Sequence, residues 1–300
     1  MLLTALSVIN LIYFIHHIPE SINVGTLAHK LAHDLQVQIK REFPSAVNSE
    51  ESEASEVPGV QQSYEAMRVQ EYALRSKVAG YIQVLEVREL VAEAASKDVT
   101  LLLACRPGDF VNQTDILLYV WPGKELSESE ADNLADKIVV GEKRTSDQDF
   151  LFLVDQLVEI ILRALSPGTN DAFTAVSCLD WIQSILLLVM SRRPELAERF
   201  DEEKKLRLVI PTVTFEELTD AFFVQPLQYV AANRVAAVRM MEVLAALLSA
   251  SRNATQTEII LKHVERLNDA AREQLTVKSD QEDLQSLYVN TLARVADPVV

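Results

Sequence analysis

The sequence is poor in the residues that most directly announce chemistry. Its 300 residues include two cysteines, five histidines and seven glycines. Cys105 and Cys178 lie far apart without a CxxC spacing, so neither a thiolate zinc site nor a redox pair is expected. Both sit among apolar neighbours and read as buried thiols of a reducing cytoplasm. Four of the five histidines precede residue 34, which leaves only His263 in the body of the chain and little scope for a histidine-rich metal site there. His29 and His33 stand four apart on one helix face, but no third ligand follows at a recognisable spacing. Basic residues are also scarce: 28 Lys and Arg against 44 Asp and Glu give a net charge of -16, without a local basic cluster, which argues against a nucleic-acid partner. The GxSxG elbow, the P-loop, HExxH and the dinucleotide fingerprint are all missing. The reading from these absences is a non-enzymatic chain with no cofactor and no metal.

What is present is apolar and patterned. Hydrophobic residues make up 49% of the chain, enough for one large domain or two smaller ones. The first segment, MLLTALSVINLIYFI, carries no charge before Glu20, yet is shorter than the roughly 20 apolar residues a spanning helix needs. It lacks the basic start and small-residue cleavage site of a secretory signal. It reads as the end of a membrane helix, or a helix lying against membrane or partner. Leu27, Leu31, Leu35 and Ile39 then recur at helical spacing until Pro44. Together these form an N-terminal segment of apolar and amphipathic helices over 1–44.

Residues 45–63 are rich in Ser and Glu and have no Lys or Arg, the composition of a flexible linker. Over 64–125 the pattern turns to strands: KVAGYIQVL, VTLLLAC and DILLYVW, with the turn RPGDFV and a short helix in EVRELVAEAASKD. This small β module is similar in order to barrel-sandwich modules of the biotinyl and lipoyl kind. No lysine occupies the matching turn, so the likeness concerns architecture and not a carried cofactor. Residues 126–300 read as a helical domain. Ser127 with Glu130, Thr145 with Gln148, and Thr214 with Glu217 fit the capping-box pattern, Gly141 and Gly168 fall where helix ends are expected, and LRLVIP at 206–211 is the one later strand. The expected class is therefore α+β and predominantly α-helical: a helical domain with a small barrel-sandwich-like module and an N-terminal apolar helix.

The segment DQLVEIILRALSPGTNDAFTA, from Asp155 to Ala175, is largely apolar but holds several groups that are costly to bury. At 100° per residue, Gln148, Asp149, Phe152, Asp155, Gln156, Glu159 and Arg163 fall within an arc of about 120° on one helix. Glu159 and Arg163 stand at i,i+4 in the favourable acid-before-base order, and a buried pair would need Gln148 and Gln156 to satisfy its remaining hydrogen bonds. Pro167 ends that helix and Asn170 or Asp171 caps the next. Arg163 and the free amides beyond the turn would make a positive spot able to hold an anion, unless Asp171 or Asn170 fills that place itself. The candidate polar network thus comprises Arg144, Gln148, Asp149, Gln156, Glu159, Arg163, Asn170 and Asp171.

FIHHI at 14–18, GYIQ at 80–83, RPGDFV at 106–111, RTSDQD at 144–149, QLVEI at 156–160 and RALSPGTNDAFTA at 163–175 together resemble a bacterial family of predicted membrane proteins, the domain of unknown function twenty-two fifty-four. The resemblance spans nearly the whole chain. It implies several transmembrane helices ahead of a soluble region, with this chain beginning inside the last of them and carrying the soluble C-terminal portion. Ala172 departs from the proline usual after Asn-Asp, which leaves the cap intact. No activity comes with the resemblance. The expectation is a cytoplasmic, membrane-associated domain that acts in homo-oligomeric assembly or ligand sensing. The alternative is an enzyme or transport-related site that binds a small anion through Arg163, with Glu159 as general acid or base.

Overall fold

The computed structural model describes residues 7, 24–43, 72–123, 126–193 and 197–296. The uncharged run over 1–18, Ser7 excepted, and the Ser/Glu-rich stretch at 45–63 lie outside the described residues. The amphipathic helix is present as α1 (Val24–Glu42), with Ala28, Leu35 and Ile39 fully buried. Two compact units divide the chain: Met1–Ile39, Leu153–Met190 and Phe215–Val300 form one, Lys40–Phe152 and Ser191–Thr214 the other.

The second unit carries the strands. In chain order it contains β1 (Tyr72–Arg75), β2 (Gly80–Leu85), α2 (Val87–Lys97), β3 (Thr100–Leu103), β4 (Phe110–Val111), β5 (Ile116–Trp121), α3 (Glu128–Ala135), β6 (Ile138–Gly141), β7 (Glu198–Phe200) and β8 (Leu206–Val209). One sheet has the order β1-β5-β3-β8-β7 and a second the order β4-β2-β6. β3 runs parallel to β8, pairing Leu101 with Leu208. Because β3 sits between β5 and β8, all four of its residues are buried, which is why its sequence is an unbroken apolar run. Ile82, Leu90, Leu101, Leu118 and Leu134 draw both sheets and both helices into one core. α2 stops at Asp98, whose left-handed backbone (φ 53°) lets its N–H reach the Ala94 and Ala95 carbonyls. Ser127 and Glu130 form the expected capping box at the start of α3.

The chain is α+β and mainly helical, but the β module differs from the one expected. It is not a self-contained barrel-sandwich over 64–125: β6 pairs with β2, and β7 and β8 complete the larger sheet from residues 198–209. The stretch 126–300 is accordingly not one helical domain, since 126–152 and 191–214 belong with the strands. Non-local pairing sets these boundaries, and local composition does not report it. Gly141, expected at a helix end, closes β6 instead; a Cβ there would lie 2.4 Å from the Gln83 side-chain amide.

The other unit is helical. It holds α1 up to Ile39, α4 (Phe150–Ala164) from Leu153 on, α5 (Ala172–Met190), α6 (Phe215–Phe223), α7 (Leu227–Ala232), α8 (Arg234–Ser249), α9 (Ala254–Gln274) and α10 (Lys278–Ala296). α8 is the central helix and packs against α5, α7, α9 and α10. Its alanines and methionines explain that position, because Ala236 and Ala237 allow close approach while Met240 and Met241 fill the gaps, all of them buried. Asn233 and Asn253 cap α8 and α9 by accepting from the amides of Ala236 and Gln256. Among the described residues α5 alone is long and apolar enough to cross a membrane, with a mean hydropathy of 1.7. It packs on α8, and its Asp180 pairs with Arg239 of α8 at 2.6 Å.

Candidate functional site

Three of the sequence motifs meet in the strand-bearing unit. The turn after Arg106 is pinned to β2, since Gly108 donates to the Ile82 carbonyl at 2.8 Å and Ile82 donates to the Asp109 carbonyl at 2.9 Å. Gly108 has φ +93°, and a Cβ built there would lie 2.3 Å from the carboxylate of Asp149. Only glycine meets both conditions, a left-handed backbone and a carboxylate pressed against it. Asp149 is 4% exposed and is held by a fork from Arg144, with Nε donating to Oδ2 at 2.7 Å and Nη2 to Oδ1 at 3.0 Å. Asp149 Oδ1 also accepts from the Phe152 amide and so begins α4. The Arg144 guanidinium lies 5.2 Å from the centre of the Phe152 ring. Gln148 extends the frame by accepting from the Leu85 N–H at 2.9 Å and donating to its carbonyl at 3.3 Å, as a strand partner would.

This frame borders a cleft of about 480 Å³, within the range of small-molecule sites. Three arginines from three segments line it. Arg41, at the end of α1, donates to the Asp147 carbonyl at 2.8 Å, Arg106 to the Thr212 carbonyl at 3.4 Å, and Arg199 of β7 to the Glu198 carbonyl at 3.1 Å. Apolar walls come from Val84, Leu85, Phe150, Ile210 and Pro211. Among the described residues, no serine, cysteine, histidine or lysine lines it, while Glu42, Asp147 and Asp149 do.

The convergence of RPGDFV and RTSDQD on one frame coincides with a family match: the sequence profile of a family described as "Predicted membrane protein (DUF2254)" fits residues 1–246. The chain belongs to DUF2254. Its relatives include the uncharacterized proteins Mb1321c of Mycobacterium bovis and Rv1290c of Mycobacterium tuberculosis, each 27% identical over 269 residues, 86% of this chain and 50% of the relative. The chain thus spans about half the length of the curated relatives it matches. No solved structure resembles it significantly.

In this DUF2254 chain the eight residues picked out from the sequence separate into two groups. Arg144, Gln148 and Asp149 come together as described. Gln156, Glu159, Arg163, Asn170 and Asp171 belong to the helical unit and form no buried network. Glu159 and Arg163 do pair, but their side chains are 55% and 78% exposed. A helical wheel shows which residues share a stripe, not which stripe meets the protein; here the stripe faces outward. The apolar surroundings on which an acid/base role for Glu159 rested are therefore absent. Asp171 fills the cap of α5 itself: Oδ1 accepts from the Thr174 amide at 3.1 Å and Oδ2 from its hydroxyl at 2.5 Å. Those bonds hold its carboxyl below the usual carboxylate range, and they occupy the place in which an anion beside Arg163 would sit. Asn170 takes the left-handed turn position (φ 45°) and accepts from the Asn233 side chain.

The expected Thr145/Gln148 box is replaced by the Asp149 cap, because Gln148 is engaged by β2 and α4 starts only at Phe150. No local signal in the sequence marks Arg41 or Arg199 as a cleft residue. Neither lies in a recognisable motif, and only the fold brings them beside Arg106.

Proposed function

We infer that this chain is the ligand-sensing part of a membrane-associated DUF2254 protein, that its membrane contact lies in the N-terminal segment, that its bulk is cytoplasmic, and that it works by binding and not by catalysis. The cleft carries this reading. It is framed by RPGDFV and RTSDQD, has a ligand's size, and among the described residues its lining sets three arginines, and carboxylates that Arg41 and Arg144 hold in ion pairs, beside apolar walls, without the Ser, Cys, His or Lys side chains that most often serve as nucleophile or proton shuttle. A thermal-shift screen of small metabolite-like compounds, with mass spectrometry of each stabilising compound after incubation, tests it. The expected result is stabilisation by one chemical class, with the compound recovered unchanged. Recovery of a product, or a screen in which nothing binds at millimolar concentration, would overturn it.

Homo-oligomeric assembly belongs to the same proposal, with the exposed Glu159–Arg163 stripe as its contact. Glu159→Ala and Arg163→Ala are expected to change unfolding free energy by less than about 0.5 kcal/mol, as exposed pairs do, while lowering the mass seen by light scattering. A native chain that is monomeric at every concentration tested would remove the assembly reading.

A further inference from the structure

We propose that the groove between α2 and β7 is the docking site for a second copy of this chain, with the α2 helix of each copy lying in the groove of the other beside Phe200. This rests on the assembly reading and adds to it a contact in the strand-bearing unit.

β7 is an edge strand of the larger sheet, and its pairing with β8 shifts register between Arg199 and Phe200. Arg199 stands opposite Leu208 and Phe200 opposite Leu206, so the bulge turns two consecutive side chains to one face, where both meet the groove beside α2. Regular alternation would send Phe200 to the other face. α2 packs on β3 and β8, and the Phe200 ring beyond them is left 57% exposed. Across a groove of about 810 Å³ from that ring stand Val87, Val91, Ala92 and Ala95 of α2. A strand bulged so that an aromatic ring faces solvent beside an aliphatic helix wall has the composition of an interface core.

The groove fits its own wall. Ala92 is exposed and Ala95 half-buried, so the open side of α2 is small enough for a second helix to approach closely. With the two α2 helices antiparallel about a twofold axis near Glu93, Arg88 of each lies level with Asp98 of the other, and Val91 with Ala95. Arg88 is exposed and makes no ion pair among the described residues. Asp98 pairs with Arg207 at 2.9 Å yet keeps 80% of its side chain exposed, and a carboxylate accepts from more than one donor. Arg88 would also lie beside the C-terminal end of the partner helix, the end that favours a cation. Charge balance points the same way. Among the described residues the groove's lining holds as many basic side chains as acidic ones, with Arg207 on Asp201 at 2.6 Å and Lys205 on Glu203 at 3.1 Å. In a chain of net charge -16, two copies meet with least repulsion where the surface is neutral. A small molecule would cover the apolar floor but leave the match between Arg88 and Asp98 unused.

Light scattering after size exclusion of the whole chain, across a wide range of concentrations, tests the contact. The parent is expected to be dimeric or larger, and Phe200→Ser and Ala92→Arg should each raise the concentration at which it dissociates by about tenfold or more. Both positions are exposed, so neither substitution should unfold the chain. Ala92→Cys, close to the twofold axis, should form a disulfide-linked dimer under mild oxidation. Val78→Cys, exposed but outside the groove, should not, and Cys105 and Cys178 are buried away from the oxidant. An assembled chain indifferent to Phe200→Ser and Ala92→Arg, whatever Glu159→Ala and Arg163→Ala do to it, overturns the groove contact and leaves the assembly reading standing. Cross-linking at Val78 as extensive as at Ala92 overturns the groove contact as well. A parent that is monomeric at every concentration overturns both the contact and the assembly reading.

Discussion

Asp149→Ala is expected to lower the unfolding free energy of the strand-bearing unit by about 3 kcal/mol, the largest effect of any single truncation at the cleft. The substitution removes the carboxylate fork from the partly buried Arg144 guanidinium, removes the cap that starts α4, and empties the space against Gly108. Each loss is a recognised source of destabilisation, and all three follow from one carboxylate. Asp149→Asn should cost less, because the amide oxygen can still accept from Phe152. Gly108→Ala approaches the same frame from the other side and should also destabilise, through a left-handed backbone and a collision with Asp149. Denaturant titration followed by a probe in this unit measures all three. An Asp149→Ala chain as stable as the parent would show that the frame is incidental.

The second large effect depends on pH. Burial pushes the His263 imidazole down to about 4, and only in part does Asp220, whose Oδ1 lies 3.4 Å from Nε2, oppose that; the flanking Lys262 and Arg266 push it further down while Glu216 raises it. The ring packs against Phe223 at 5.3 Å and is 2% exposed. A histidine whose folded pKa lies below its unfolded value binds fewer protons when folded, so its contribution to stability is present above about pH 6.5 and is lost as pH falls through about 4. Across that window the helical unit should lose about 3 kcal/mol from this group alone. His263→Leu should flatten the corresponding part of the stability profile, which separates it from the carboxylates that titrate nearby. Parallel profiles for the two chains between pH 6.5 and 4 would remove His263 as the cause.

Much of the architecture is legible in local pattern. The short helix at 87–97, the strands at 80–85, 100–103 and 116–121, the Ser127 capping box and the breaks before Leu227 and Ala254 all follow from periodicity and from residues with a fixed local role. β1, β6 and β7 are not visible in that way. They are short, as are β3 and β8, but no turn signal or distinct strand run marks them off, and they are strands because partners elsewhere in the chain supply their hydrogen bonds.

The candidate site divides along the same line. Arg144, Gln148 and Asp149 lie within one short motif, and the sequence places them together because neighbours in the chain are neighbours in space. Helical geometry alone likewise puts Gln156, Glu159 and Arg163 on one side of α4. Whether that side was buried was not a local matter. The environment of a helix face depends on what packs there, and the apolar remainder of α4 already met the core while the charges met solvent. Membership of DUF2254 and an α+β, mainly helical chain follow from the sequence itself. The cleft, with arginines drawn from positions 41, 106 and 199, belongs to tertiary structure, because only sheet pairing across more than a hundred residues joins β8 to β3 and closes the space around it.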